Sequence, residues 1–203
     1  MIPLLIATSN AGKFREISAI LHPFLPGVSF RSLTDLAVTA EIAETGATFA
    51  ENAALKAIGY SELTGLPTLA DDSGLEVIAL GLRPGVFSAR YGAPQASDDA
   101  GRIAFLLAEM AGQADRRARF VCHACLARGR QILTEAEGTV DGELLDAPRG
   151  TDGFGYDPIF FYLPLGLTFA ELDAEQKNLI SHRSNALRHL APRLAAIRES
   201  LHP

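Results

Sequence analysis

Residues 4–13 read LLIATSNAGK, and this stretch decides the fold class of the chain. Its apolar half, Leu4–Thr8, predicts a buried strand. The polar half, residues 9–13, predicts a turn. Apolar residues then recur at helical spacing up to Leu21, so the turn leads directly into a helix. The chain therefore opens as strand, turn and helix, the alternation from which α/β folds are built.

The rest of the chain continues this alternation. A capping box at Thr48–Glu51 predicts the start of a second helix. Ser97 is the predicted cap of a third helix that ends at Met110, and Ser181–Ser200 is a final helix that Pro192 should kink or interrupt. The predicted strands are Val28–Phe30, Pro67–Ala70 with a continuation at Leu75–Leu80, and a hairpin of Ala118–Ala127 and Gln131–Val140 that turns at Arg128–Arg130. This pattern predicts one mixed α/β domain over residues 1–203.

The composition of the chain argues against some classes of protein. Apolar residues make up 48% of the 203, which is enough for a packed core. The net charge of -6 argues against nucleic-acid binding, and the basic residues at 116, 117 and 119 are interpreted as a solvated loop end. No apolar run reaches the roughly 18 residues of a membrane span. We therefore expect no nucleic-acid partner and no membrane.

The two cysteines, Cys122 and Cys125, have Cys-x-x-Cys spacing. A structural zinc site needs about four ligands, and no second pair is present. On a strand, positions three apart face opposite sides. We therefore expect buried, reduced thiols, which fit a cytoplasmic protein.

The turn at residues 8–13 is a candidate phosphate site. A strand that turns into a helix presents backbone N–H groups and the positive end of the helix dipole. Ser9 and Asn10 add polar side chains, and Lys13 adds a mobile charge. The stretch lacks the first glycine and the Ser or Thr of a Walker A loop. An ordinary helix cap with a surface lysine is the alternative.

The run Asp71-Asp72-Ser73-Gly74 is a candidate magnesium site. Adjacent carboxylates repel each other unless a cation neutralises them. Mg²⁺ prefers one or two carboxylates together with substrate phosphates. A loop bearing Glu41 and Glu44 is a source of a further oxygen. The alternative is a solvated turn at a strand end.

Two further segments suggest base recognition. Glycines at 150, 153 and 155 permit positive φ, and Phe154 and Tyr156 offer flat faces for stacking beside Asp157. Ser181-His182-Arg183 places positive groups at a helix N-terminus, where the dipole disfavours them, which suggests that an anionic or carbonyl-bearing group lies there. The alternatives are a long turn around a core aromatic and two exposed side chains.

Lysine usage points to the same segments. Of 18 basic residues only three are lysines, at positions 13, 56 and 177. All three fall in or near the segments above. Lysine is a compact point charge, which suits a crowded triphosphate better than the planar arginine fork does.

Taken together, these segments resemble the inosine/xanthosine triphosphate pyrophosphatase family over residues 6 to about 190. Ser9, where the family commonly has glycine, and Pro192 are small departures. The motifs that carry the resemblance are Ala7–Lys13, Glu44–Ala53 with Lys56-Ala57, Leu69–Leu75 with Pro84–Tyr91, Gly153–Pro158 and Ile180–Arg183.

The resemblance implies a two-lobed mixed α/β fold with a long central sheet, an active-site cleft between the lobes, and a homodimer. It implies that Asp72 is the general base and binds Mg²⁺ together with Glu44. The residues that it assigns to phosphate binding are Thr8, Ser9, Asn10, Ala11, Gly12, Lys13, Lys56 and Ser73. Those that it assigns to the purine and sugar are Phe154, Gly155, Tyr156, Asp157, Lys177, His182 and Arg183.

The implied reaction is hydrolysis of abnormal purine nucleoside triphosphates (ITP, dITP and XTP) to the monophosphate and pyrophosphate. Three alternatives remain at this point. One is a pyrophosphatase for modified pyrimidine triphosphates, and another is a nucleotide-sensing module that does not cleave its ligand. The third is a phosphatase that releases single phosphates.

Overall fold

The computed structural model describes residues 2–196. In this range the strands are β1 (Ile2–Ile6), β2 (Val28–Ser32), β3 (Thr68–Val77), β4 (Arg117–Arg128), β5 (Gln131–Leu144), β6 (Phe160–Tyr162) and β7 (Leu167–Thr168). The α-helices are α1 (Ala11–Leu21), α2 (Phe49–Thr64), α3 (Asp99–Glu109), α4 (Ala174–Ile180) and α5 (His182–Ala196).

The strands form one seven-stranded sheet in the order β2-β1-β3-β4-β5-β6-β7. β1 runs parallel to both β2 and β3, whereas β5, β6 and β7 pair antiparallel. β4 and β5 are neighbours joined by residues 129–130, and such a short connection joins only antiparallel strands. The prediction of a mixed α/β fold with a long central sheet is confirmed.

The chain divides into two compact units. Unit 1 comprises the residues up to Asp72, Cys122–Gly138, and the residues from His182 onward. Unit 2 comprises Ser73–Val121 and Thr139–Ser181. Strands β3, β4 and β5 therefore contribute residues to both units.

Unit 1 is built by the two-residue alternation of β1. Leu4 and Ile6 belong to a core that includes Ile17 of α1 and Leu187 of α5. The intervening Leu5 belongs to a second core, with Ala53 and Ala57 of α2. Successive side chains of a strand point to opposite faces, so helices cover both faces of the sheet here.

Unit 2 has an aromatic core. Phe120, Phe160 and Phe169 pack with ring centroids 4.5 to 5.7 Å apart. Ile103 and Leu106 of α3 belong to the same core. Such ring pairs add stabilisation beyond the area that they bury.

Several predicted boundaries are wrong for identifiable reasons. Asp98, not Ser97, caps α3, because its carboxylate accepts a hydrogen bond from the Gly101 amide. The helix α5 continues across Pro192 to Ala196, so no interruption occurs there. The predicted end of that helix, residues 197–200, lies outside the described residues.

The prediction that Cys122 and Cys125 are buried on opposite sides of one strand is confirmed. Cys122 and Cys125 are buried, reduced, and belong to different cores of unit 1. Within residues 2–196, no helix combines the length and the apolarity that a membrane crossing requires.

Candidate functional site

Asp71 and Asp72 lie inside β3, not in a turn at its end. The alternative interpretation, a solvated turn, is therefore wrong, and the strand extends past the predicted end at Ala70. As neighbours on a strand, the two carboxylates point to opposite faces of the sheet. Each has its own positive partners, Lys13 for Asp71 and Lys56 for Asp72. Those partners explain how two adjacent acids are accommodated in a buried strand.

Asp71 is the centre of a buried ion-pair cluster. Its Oδ2 lies 3.1 Å from Arg183 Nε and 3.4 Å from Lys13 Nζ. Arg183 Nη1 is in turn 2.5 Å from Glu16 Oε2, and the arginine side chain is 0% exposed. Burial alone would raise the pKa of Asp71, but the charges of Lys13 and Arg183 outweigh it and hold that pKa well below its usual value.

This cluster explains why a positively charged residue, Arg183, stands at the start of α5. The dipole disfavours a cation at a helix N-terminus, and the sequence suggested that an anion lies there. The structure places two carboxylates of the chain itself, Asp71 and Glu16, against Arg183. The guanidinium is therefore committed to a structural cluster of unit 1.

Asp72 has a different environment. Its Oδ2 accepts a hydrogen bond from Asn52 Nδ2 at 3.1 Å, and its Oδ1 lies 3.4 Å from Lys56 Nζ. The same ammonium is 2.6 Å from Glu44 Oε1. Glu44, Asn52, Lys56 and Asp72 form a group that we call the carboxylate cluster. Its members come from the loop before α2, from α2 itself and from β3.

The two acids of β3 also differ in acidity. Burial raises the pKa of Asp72 and the charge of Glu44 adds to this, whereas Lys56 and Asn52 oppose it, and the pKa ends above its usual value. Burial alone would lower the pKa of Lys56, but the charges of Asp72 and its acidic neighbours outweigh it and raise that pKa. Lys56 is therefore a cation at neutral pH. A carboxylate with a raised pKa beside a fixed cation is a strong candidate for a general base.

The predicted phosphate turn is an exposed helix start. Asn10 caps α1, since its Oδ1 accepts hydrogen bonds from the amides of Gly12 at 2.8 Å and Lys13 at 3.0 Å. Thr8 Oγ1 accepts one from the Asn10 amide. Ser9, Asn10 and Ala11 are exposed. The turn is accessible to an anion. The side chains of Thr8 and Asn10, however, already accept hydrogen bonds from some of the backbone amides that were predicted to be available to a phosphate.

The glycine loop of unit 2 is braced by Asp157. Asp157 Oδ2 accepts a hydrogen bond from the Phe154 amide at 2.8 Å and lies 2.5 Å from Lys177 Nζ. The ammonium also stands 4.6 Å from the centre of the Phe154 ring, a cation–π distance. Gly153 adopts φ 77°, and a Cβ there would lie 2.2 Å from the Asp157 carboxylate. Only glycine permits this loop to close on Asp157.

Two residues of the loop differ from their predicted roles. The ring of Tyr156 is 4% exposed, and its hydroxyl donates to the Ser88 carbonyl, so it is a core aromatic and offers no face to a base. The Asp157 carboxylate is 2% exposed and holds the loop. Phe154 is half-buried and keeps part of its ring accessible.

The structure brings the predicted residues into two groups, one in each unit. In unit 1 are Thr8, Ser9, Asn10, Ala11, Gly12, Lys13, Glu44, Lys56, Asp72, His182 and Arg183. In unit 2 are Ser73, Phe154, Gly155, Tyr156, Asp157 and Lys177. Of the two loop acids considered, Glu44 contacts Lys56 while Glu41 is exposed, so Glu44 is the one that belongs to the carboxylate cluster.

Three residues that contact these groups were not predicted from the sequence. Asn52 stands four positions before Lys56 on α2, and Glu16 stands three after Lys13 on α1, spacings that share a helix face. That spacing was a usable signal. Asp99, whose Oδ2 accepts a hydrogen bond from the Gly155 amide at 2.7 Å, lies 56 residues away along the chain and gave no local signal.

The carboxylate cluster suits a magnesium ion. Within residues 2–196 no group of three or more His, Cys, Asp or Glu side chains is arranged to hold a metal alone. Mg²⁺ is commonly bound by one or two carboxylates, with substrate phosphates and water completing the shell. Glu44 and Asp72 already face one shared cation, Lys56. These two carboxylates therefore fit a metal that arrives with a phosphorylated ligand.

The sequence profile of the Ham1 family matches residues 4–193. A dITP/XTP pyrophosphatase of Syntrophobacter fumaroxidans is 48% identical over 199 residues, which are 98% of this chain and 84% of that protein. The chain belongs to the Ham1 family. A second Ham1-like relative, the dITP/XTP pyrophosphatase of Gloeobacter violaceus, is 50% identical over 92% of this chain and 91% of its own length.

Solved structures of Ham1 proteins have the same fold. The HAM1 protein of Coxiella burnetii superposes with a TM-score of 0.87 at 41% identity, covering 97% of this chain and all of that one. A nucleoside-triphosphatase / dITP/XTP pyrophosphatase of Mycobacterium abscessus gives a TM-score of 0.74, also at 41% identity, over 94% of this chain and 99% of its own. Ham1 membership therefore rests on sequence and on fold together.

Proposed function

We propose that this protein hydrolyses abnormal purine nucleoside triphosphates, namely ITP, dITP and XTP, to the monophosphate and pyrophosphate. The observation that carries the proposal is the carboxylate cluster around Asp72, in a chain 48% identical to a dITP/XTP pyrophosphatase over nearly its whole length. Every residue that the proposal needs for phosphate chemistry is present in this sequence.

The phosphates would be bound by residues 8–13, Lys56 and Ser73. Lys13 and Lys56 are held near carboxylates, so their charges meet a polyanion without the cost of ordering a mobile side chain. The exposed turn at Ser9–Ala11 adds polar groups at the positive end of α1. Removing either lysine charge should weaken triphosphate binding.

Asp72 is the proposed general base. One of its carboxylate oxygens accepts the proton of a water molecule that attacks the α-phosphorus, and the bond from that phosphorus to the bridging oxygen of the leaving pyrophosphate breaks. Asn52 and Lys56 orient the carboxylate through its two oxygens. A Mg²⁺ ion held by Glu44 and Asp72 would neutralise charge on the phosphates. Asp72→Asn should abolish most turnover while leaving nucleotide binding intact.

Selectivity would come from the 6-position of the purine. Inosine and xanthosine carry a carbonyl there, and adenosine carries an amino group. Hydrogen-bond donors around the base favour the carbonyl and reject the amino group strongly, because buried donors are otherwise left unpaired. We assign this region to Phe154–Asp157, Lys177, His182 and Arg183. Arg183 contributes indirectly, since its guanidinium binds Asp71 and Glu16.

We further propose that the protein acts as a cytoplasmic homodimer with Mg²⁺. The cytoplasm holds the nucleotide pool on which such an enzyme would act, and the two buried cysteines form no disulfide with each other, a usage common in cytoplasmic proteins. Sedimentation equilibrium should give twice the chain mass of 21.6 kDa. A single-chain mass across the concentration range would overturn the dimer.

The reaction is tested by incubating the purified protein with Mg²⁺ and ITP, and separately with ATP, GTP and dUTP, and identifying the products by chromatography. The proposal predicts IMP and pyrophosphate from ITP, comparable rates with dITP, and little from ATP or GTP. Preferred cleavage of dUTP would favour the pyrimidine alternative. Nucleotide binding without turnover would favour the sensing module.

A further inference from the structure

Asn52 is fully buried and uses both ends of its side-chain amide. Its Oδ1 accepts a hydrogen bond from the Gly46 amide at 2.8 Å, and its Nδ2 donates to Asp72 Oδ2 at 3.1 Å. The exposed fraction of the residue is 0%. One side chain thus joins the loop before α2 to the strand that carries the proposed base.

The capped start of α2 holds the backbone of Asn52 in place. Thr48 and Glu51 form a capping box, and the Glu51 carboxylate also accepts from the Ala47 amide at 2.6 Å. Asn52 follows directly, in the first turn and a half of the helix. The cap therefore fixes the backbone from which the Asn52 side chain extends.

Gly46 is shaped to receive this amide. A Cβ at Gly46 would lie 2.6 Å from Glu51 Cβ, 2.8 Å from Asn52 Oδ1 and 3.0 Å from the Asn52 nitrogen. Distances this short force the loop or the helix to move. The absence of a side chain at 46 is therefore required by the close packing of this loop against Glu51 and Asn52.

The contacts close a ring within unit 1. Gly46 lies two residues after Glu44, whose carboxylate is 2.6 Å from Lys56 Nζ. Lys56 reaches Asp72, Asp72 accepts from Asn52, and Asn52 accepts from Gly46. Displacing the Gly46–Asn52 contact would release the Glu44 loop and one oxygen of Asp72 at once.

We propose that Asn52 is a positioning residue, which through Gly46 and Asp72 fixes the two carboxylates Glu44 and Asp72 relative to each other. The inference rests on the proposed function for its catalytic consequence. Asn52 acts through these two partners. Partners of this kind typically alter metal affinity or activity by about 10- to 100-fold.

The test compares Asn52→Ala, Gly46→Ala and their double variant with a matched control, Ser61→Ala. Ser61 is another buried polar residue of α2, 1% exposed and hydrogen-bonded to the Leu66 carbonyl, but it is outside the carboxylate cluster. We expect each single variant to lower kcat for ITP by about 10- to 100-fold with KM changed by less than about threefold. The control should lose stability while keeping kcat.

Because both substitutions break the same contact, the double variant should lose no more kcat than the worse single variant. Mg²⁺ affinity, measured by calorimetry with inorganic pyrophosphate present to complete the metal shell, should fall in both single variants, which gives a readout independent of turnover. If the wild-type protein fails to cleave ITP, the proposed function is wrong and the calorimetry still decides the role of Asn52. Multiplicative losses in the double variant, or variants equal to wild type in kcat and Mg²⁺ affinity, would overturn the inference.

Discussion

Lys56 Nζ lies 3.4 Å from Asp72 Oδ1, and the same ammonium is 2.6 Å from Glu44 Oε1. One fixed cation therefore serves both proposed metal-binding carboxylates. Asp72 is largely buried and its pKa is raised. In the folded protein it nevertheless has a positively charged partner, Lys56. This contact also makes Lys56 the residue whose loss should affect catalysis in two ways, through Asp72 and through the phosphates.

Replacing Lys56 by methionine should lower kcat/KM for ITP by about 100-fold, the size of effect seen when one preorganised charge contact is removed. Lys56→Arg keeps the charge but presents a planar fork, and it should recover only part of the activity. Steady-state kinetics measures both variants. Activity of Lys56→Met within about threefold of wild type would contradict the assigned role.

Asp71→Asn should destabilise the fold rather than act on catalysis alone. It removes one of the two carboxylates that neutralise Arg183, whose side chain is 0% exposed. Breaking a buried ion pair by removing one partner costs about 3 kcal/mol of unfolding free energy. Urea denaturation measures this, with Asp115→Asn at the exposed Arg117 pair as the control. Equal effects of the two substitutions would contradict the buried cluster.

Asp99→Ala should weaken purine binding through the glycine loop. The Asp99 carboxylate accepts from the Gly155 amide at 2.7 Å, and this contact holds the loop to α3. Loss of a hydrogen bond to a charged group should raise KM for ITP by about 10-fold, with a smaller change in kcat. Asp98→Asn, which keeps the cap of α3, is the control. A fall in kcat at constant KM would place Asp99 elsewhere in the mechanism.

Because of the Arg149–Glu171 ion pair, the unfolding free energy of the protein should fall as the solution becomes acidic. The hydrogen bond from Arg149, assisted by the Thr168 amide, lowers the pKa of Glu171 from 4.5 to about 2. Because the folded pKa lies below the unfolded one, this stabilisation is present above about pH 4.5 and is lost as the pH falls towards about 2.

The measurement is the unfolding free energy of wild type and Glu171→Gln between about pH 6 and pH 2. The wild type should be the more stable at pH 6, and the difference should vanish at the acid end. A difference that stays constant over this range would show that Glu171 stabilises the fold without titrating.

The sequence predicted the helix starts and the strands of the sheet well, because caps and apolar alternation are local signals. Thr48 and Glu51 form the predicted capping box, and the hairpin turns at the predicted Arg128–Arg130. By contrast, α4 is only seven residues long, too short to show a helical period, and β6 and β7 are shorter still.

Side-chain roles were harder to predict than elements. The sequence placed Asp71 and Asp72 just beyond a strand end because the ion pairs that permit them inside the strand come from α1, α2 and α5, far along the chain. Tyr156 and Asp157 read as ligand groups, but their partners Ser88 and Lys177 are 68 and 20 residues away. Local sequence reports the residue types of a site, whereas tertiary contacts decide which atoms stay available.

We propose that Asp72 directs water to the α-phosphorus of an abnormal purine triphosphate. The most direct test of this role is turnover of ITP with Mg²⁺ in ¹⁸O-labelled water, with the products analysed by mass spectrometry. The account predicts labelled IMP and unlabelled pyrophosphate, and loss of this turnover in Asp72→Asn. Label in pyrophosphate, or IDP with labelled phosphate, would contradict it.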